Sequence, residues 1–250
     1  MDDSTLFIVA LAALGGFVGG TITSIVGFGG GLVLVALMST VFSPHDVVAL
    51  TAPVLMLGNF HRVWLFRRDL DRHVLNWFVI GAIPATLLGA VLLPQLPANG
   101  LRFAMGLFLV LFVLKEAATF DRVRSTSLPT PMLAVAGFAN GAVSATIGGG
   151  GPLSAPFLHA YGLVRGAFIV TESAGSFVIQ ALKTVVFAVT GLLTLSHLPA
   201  SVVAIVSISI GNRLGQQILR RVCDRLFQRL LLGMLILLGI RLMLTVISNG

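Results

Sequence analysis

The chain has 250 residues, 56% of them hydrophobic and 10% charged, with a mean hydropathy of +1.01; soluble domains carry roughly 25% charged residues, so a soluble fold is excluded. At about 20 apolar residues per crossing, the length supplies about eight to ten membrane crossings and leaves only short loops. The formal charge of +7 sits in short clusters at segment ends instead of a groove interleaved with aromatics, which points to membrane topology and away from nucleic acid.

The N-terminal MDDSTLFIVALAALGG carries acids where a secretory signal would carry Lys or Arg, so it reads as a retained first helix. Apolar segments then follow at 5–26, 30–42, 46–66, 74–93 and 101–119, and again at 131–147, 151–161, 166–190, 199–219 and 226–247, separated by Gly, Pro or charged breaks. The fold class expected is an all-α integral membrane protein. It has two repeats of five segments, residues 1–120 and 131–250, joined by a cytoplasmic linker at 121–130. Segments 30–42 and 151–161 are too short to span, and each follows a glycine run that breaks the preceding helix. They read as half-helices or hairpins meeting near the midplane.

Sliding the chain on itself by 121 residues matches Gly16-Phe17 to Gly137-Phe138. The same shift pairs Gly20 with Gly141, Thr23 with Ser144, Gly27 with Gly148, Gly29-Gly30 with Gly150-Gly151, Asn59 with Gln180 and Arg62 with Lys183. Polar and basic matches beyond the glycines point to an internal duplication. Three basic clusters belong in short cytoplasmic loops: Arg67, Arg68 and Arg72; Lys115, Arg122 and Arg124; Arg220, Arg221 and Arg225. The first precedes the fourth segment of its half, whereas the last follows the fourth segment of its half, so the halves are expected to be inverted, with both termini outside. Inverted repeats are a transporter architecture.

Two tracts, Gly27-Phe28-Gly29-Gly30-Gly31 and Gly148-Gly149-Gly150-Gly151-Pro152, would place unwound backbone at membrane depth, tolerated only where it is buried in protein or lines a cavity. Two half-helix N-termini there present unpaired N–H groups and partial positive charge, an anion site. The competing reading is that the glycines only let helices pack closely.

Lys183 lies well inside 166–190, and Arg62 takes the matching place in 46–66. Thr51 precedes Arg62, and Glu172 precedes Lys183, by three helical turns, so each pair shares a face, with Asn59 and Gln180 at its margin. This polar stripe is expected to face the substrate; the alternative is snorkelling of the cations to the interface, strongest for Arg62 beside Trp64 and Arg67. Glu172 is an acid inside a span without an adjacent base, able to carry a proton, or else a structural partner for Arg165 one heptad earlier. Asn212 and Arg213, among Gly211 and Gly215, read mainly as interface residues. The five histidines, His45, His61, His73, His159 and His197, show no metal spacing, and the lone Cys223 excludes Cys-based metal sites and internal disulfides. The glycine tracts follow no strand, so no nucleotide or other cofactor is expected.

The paired stretches GGFVGGTITSIVGFGGGLV and GFANGAVSATIGGGGPLSAP resemble the double signature of the TauE/SafE family of sulfite or organosulfonate exporters and anion permeases. The resemblance spans nearly the whole chain, including the late helix with Gly211 and Gly215. It implies a secondary transporter for sulfite, sulfoacetate or a related anion in a bacterial cytoplasmic membrane, working without nucleotide hydrolysis. Its partners would be the small anion and membrane lipid, with a homodimer left open. The alternatives are a passive anion channel or a structural membrane subunit; an enzyme would need a convergent catalytic set that is missing from the motifs.

Overall fold

In a bilayer the backbone finds no water, so long apolar runs satisfy their N–H and C=O groups within one helix. The computed structural model describes residues 3–119, 128–163, 165–194 and 198–219, and beyond these Ile236, Ile240, Met243 and Leu244. Its helices are α1 Asp3–Val26, α2 Gly30–Met38, α3 Pro44–Phe66, α4 Arg72–Leu92, α5 Ala98–Thr119, α6 Pro131–Ile147, α7 Gly151–Ala160, α8 Arg165–Val189 and α9 Leu198–Ile218. Four stretches, Leu6–Val26, Pro44–Asp69, Arg72–Gln95 and Gly166–Val189, are long and apolar enough to cross a membrane. The linker, the arginines expected at 122, 124, 220, 221 and 225, and most of 226–247 lie outside the described residues.

Helix ends follow local chemistry. Ser43 caps α3 by accepting from the Asp46 N–H, with Pro44 in the first turn, and Asp71 caps α4 by accepting from the Val74 N–H. The expected segment 30–42 is helical only to Met38. Ser39 and Thr40 then donate their hydroxyls to the carbonyls of Val35 and Leu37, and the chain turns into α3. At about 1.5 Å per residue, the 9 residues of α2 and 10 of α7 reach no more than half of a hydrocarbon core of about 30 Å.

Packing pairs α1 with α9 and α4 with α6 most extensively, while α3 lies on α8; α4 also meets α8, and α3 meets α9. The pattern is unchanged when the two halves are exchanged. Small residues permit the tightest contacts. A side chain on Gly81 would fall on the Ala134 carbonyl, and one on Gly137 on the Phe78 carbonyl, so α4 and α6 touch backbone to backbone as membrane helices with small faces do. Gly16, Gly20, Gly211 and Gly215 play the same part between α1 and α9. Outward positions such as Ile80, Leu88, Val135, Phe138, Val202 and Val206 are exposed and apolar, as a lipid-facing surface requires. Trp64 is exposed with the Arg67 guanidinium 4.3 Å from its ring centroid, an arrangement suited to the membrane interface.

Gly81→Val or Gly137→Val is expected to cost about 3 kcal/mol or more, because the clash is with backbone and not with a movable side chain. Thermal unfolding in detergent checks this, with exposed Gly100→Ala as the control that leaves the melting temperature unchanged.

Candidate functional site

Helix α1 gives way at Val26, and the chain passes Gly27 and Gly29 with φ of 95° and 87° before α2 begins. These are left-handed conformations that favour glycine. In the second half α6 ends at Gly148, with φ 98°, and α7 starts three residues later. The two breaks meet. Gly148 and Gly149 lie against the side chains of Val35 and Leu32 on α2, and Gly151 lies against Phe28 of the first tract. The first N–H groups of α2, on Gly30 and Gly31, and that of Gly151 on α7 make no backbone hydrogen bond among the described residues, so they are free to bind other acceptors.

A cavity opens between the tracts. Its backbone wall is Phe28, Gly29 and Gly31 from one tract and Gly148, Gly149, Gly150, Gly151 and Pro152 from the other. Thr23 of α1, Asn59 and Arg62 of α3, Asn140 and Ser144 of α6, and Glu172, Ser176 and Gln180 of α8 supply polar groups, while Leu32 and Leu55 supply apolar surface.

Arg62 is 3% exposed, which overturns the snorkelling alternative. Its Nε donates to Ser173 Oγ at 3.0 Å and one terminal nitrogen donates to Asn212 Oδ1 at 3.1 Å, while the other donates to Asn59 Oδ1. A guanidinium has five N–H donors; these bonds use three, and two remain. Glu172 is buried, and its Oε1 accepts from Ser176 Oγ at 2.7 Å. Its charged neighbour is Arg62, not the Arg165 considered from spacing. Asn140 lies within hydrogen-bonding reach of the same carboxyl and donates to Ser154 Oγ at 2.9 Å. Gln180 donates to Ser144 Oγ at 3.3 Å.

Of the residues singled out from sequence, Phe28, Gly29, Gly31, Asn59, Arg62, Gly148, Gly149, Gly150, Gly151, Glu172 and Gln180 converge on the cavity. Four do not line it. Gly27 makes the turn against the Phe168 ring, and Gly30 is pressed on the Gly19 carbonyl. Thr51 is wholly buried and donates to the Val47 carbonyl of its own helix. Lys183 is wholly buried, and among the described residues its Nζ has no hydrogen-bond partner. The expected stripe is therefore interrupted, because close packing of α8 hides its Lys183 end.

Sequence reasoning passed over Asn140, Ser144, Ser176 and the part played by Asn212. Asn140 was accessible to it: a carboxamide in the middle of an apolar span needs a reason. Asn212 required tertiary contacts, since its partners come from α1 and α3. Its Oδ1 accepts from Ser24 Oγ at 3.1 Å as well as from Arg62, and its Nδ2 donates to the Gly58 carbonyl at 2.9 Å. Arg213 is exposed, in keeping with an interface residue. Asn212→Leu is expected to destabilise the protein by about 3 kcal/mol, because it strands a buried guanidinium hydrogen, a hydroxyl and a carbonyl; thermal unfolding beside the conservative Asn212→Gln measures it.

No curated protein and no solved structure matches the chain. The pattern of the Sulfite exporter TauE/SafE family matches residues 12–242, covering both glycine breaks and every residue of the cavity. The chain thus belongs to the Sulfite exporter TauE/SafE family, a family of membrane transporters.

Proposed function

We propose that this protein is a secondary transporter that moves a small sulfur-containing anion, such as sulfite, sulfoacetate or another organosulfonate, through the cavity between the glycine breaks by alternating access. Efflux is the direction the family description carries. The observation that carries the reading is the convergence of Arg62, two half-helix N-termini and six uncharged polar side chains on one cavity in a family of exporters.

The chemistry suits a sulfur oxyanion. Its oxygens accept several hydrogen bonds at once, and the cavity offers the two spare Arg62 N–H groups, the Asn59 and Gln180 amides and the free backbone N–H groups of Gly31 and Gly151. Phe28, Leu32 and Leu55 would face the carbon chain of an organosulfonate. Glu172 is the sole acid lining the cavity among the described residues. Ionised, it repels the anion and offsets Arg62; protonated, it leaves the positive field unopposed. Anion binding and proton binding at Glu172 therefore favour each other, which couples the two by linkage.

Alternating access would come from rocking of the two halves, which we take to be inverted in the membrane. The pairing of α1 with α9 and of α4 with α6 supports this, because exchange of the halves preserves it. So does the basic cluster Arg67, Arg68 and Arg72, exposed beside the interfacial Trp64.

Purified protein in detergent is expected to gain a few degrees of thermal stability from saturating sulfite or an organosulfonate, more than from sulfate or carboxylate analogues, and to lose the gain in Arg62→Met. A well-folded wild type that no anion stabilises would sink the reading. In proteoliposomes, wild-type flux should rise as pH falls and load saturably with counterflow, whereas Glu172→Gln should keep flux with a flat pH profile. Non-saturating flux without counterflow would identify a passive channel.

A further inference from the structure

Among the described residues, three buried side-chain atoms have no hydrogen-bond partner: Lys183 Nζ, Gln180 Oε1 and Thr86 Oγ1. They gather in one place. Lys183 and Gln180 are one turn apart on α8. Gln180 donates to Ser144 of α6, and Thr86 of α4 abuts Gly141, one turn before Ser144 on α6. The junction of α4, α6 and α8 thus holds a cation, a hydroxyl and an amide oxygen that do not satisfy one another.

The matching junction of the other half explains how this comes about. Asn59 and Arg62 stand where Gln180 and Lys183 do. Asn212 faces Gly20 as Thr86 faces Gly141, and Ala52 takes the place of Ser173. Arg62 bonds all three of its counterparts, Asn59, Ser173 and Asn212, and lines the cavity. For Lys183, the serine has become alanine and the asparagine a shorter threonine, and neither the Thr86 hydroxyl nor the Gln180 amide oxygen is hydrogen-bonded to its ammonium. Gln180, its neighbour, lines the cavity; Lys183 does not. Among the described residues, no charge of opposite sign is placed to act on Lys183; Glu172, three turns earlier on α8, is paired in charge with Arg62.

We infer that Lys183 is a second anion-binding cation of the transport path, whose missing acceptors are supplied by the transported anion in the conformation opposite to the one described. An unpaired ammonium in a helical bundle costs several kcal/mol, and a lysine shorn of protein acceptors is suited to an anion that comes and goes. In the described conformation Arg62 faces the cavity and Lys183 is hidden. Rocking that exchanges the environments of the halves would expose Lys183 past Gln180 and bury Arg62 more deeply. The ligand class is a small oxyanion, the same one Arg62 meets. This inference rests on the transport reading above.

The test uses full-length protein in liposomes with inorganic sulfite as the probe, comparing wild type, Lys183→Met and Lys183→Arg. Lys183→Met should melt at or above the wild-type temperature, since an apolar chain replaces an unpaired buried cation, yet lose sulfite flux at least about tenfold, the scale of one charge-assisted contact. Lys183→Arg should restore part of the flux. Wild-type sulfite flux together with undiminished flux and KM in a folded Lys183→Met would overturn the inference alone, leaving Lys183 a packing residue. Absent wild-type flux of any sulfur anion removes the transport reading and this inference with it. Should Lys183→Met not fold, Lys183→Cys in a Cys223→Ser background, which leaves a single thiol, decides: modification by a charged methanethiosulfonate that sulfoacetate slows, an anion that unlike sulfite does not consume the reagent, supports periodic exposure, and complete resistance during transport conditions refutes it.

Discussion

A guanidinium buried among apolar helices is the constraint on which the site depends. Arg62 is 3% exposed, and a charge so placed is stable only when hydrogen-bonded and balanced. Its bonds reach Ser173 on α8 and Asn212 on α9, and Asn212 in turn holds Ser24 on α1. Four helices that are distant in sequence are tied by one cation. Because the protein groups take only three of its five N–H donors, the same residue that fastens the bundle also faces the cavity with donors to spare.

The glycine breaks supply the rest of the field. Ending α1 and α6 inside the bundle and starting α2 and α7 there leaves N–H groups that no helical carbonyl can reach, and only a cavity or a protein wall can accept such backbone at membrane depth. Close contacts between Gly149 and Leu32 and between Gly151 and Phe28 bring the two breaks together, so the partial charges of both helix ends act on the same volume. Glu172 opposes them from α8. A cavity that balances one fixed acid against one fixed base becomes net positive on taking up a single proton.

The two halves are alike in plan and unlike in detail. α1 against α9 and α4 against α6 use the same glycine-to-backbone contacts. Yet Arg62 bonds all three members of its constellation, and among the described residues Lys183 bonds none of its own.

Much of this was legible in the chain. Hydropathy and glycine breaks determined the helices, including the two short ones, since apolar length and backbone freedom are local properties. The 121-residue repeat singled out Arg62, Lys183, Asn59 and Gln180 as matching pairs. Helical periodicity could say which residues share a face, but not which face opens on a cavity. It therefore treated Thr51 and Lys183 as equivalent to Arg62, although one is turned to its own backbone and the other enclosed. Asn212 looked like an interface residue because its four polar contacts come from α1 and α3, at least 150 residues away in the chain. Local composition decided where the chain is helical and where it breaks. Only tertiary packing decided which buried polar groups satisfy one another and which are left unpaired, because that depends on neighbours brought from the other half of the chain.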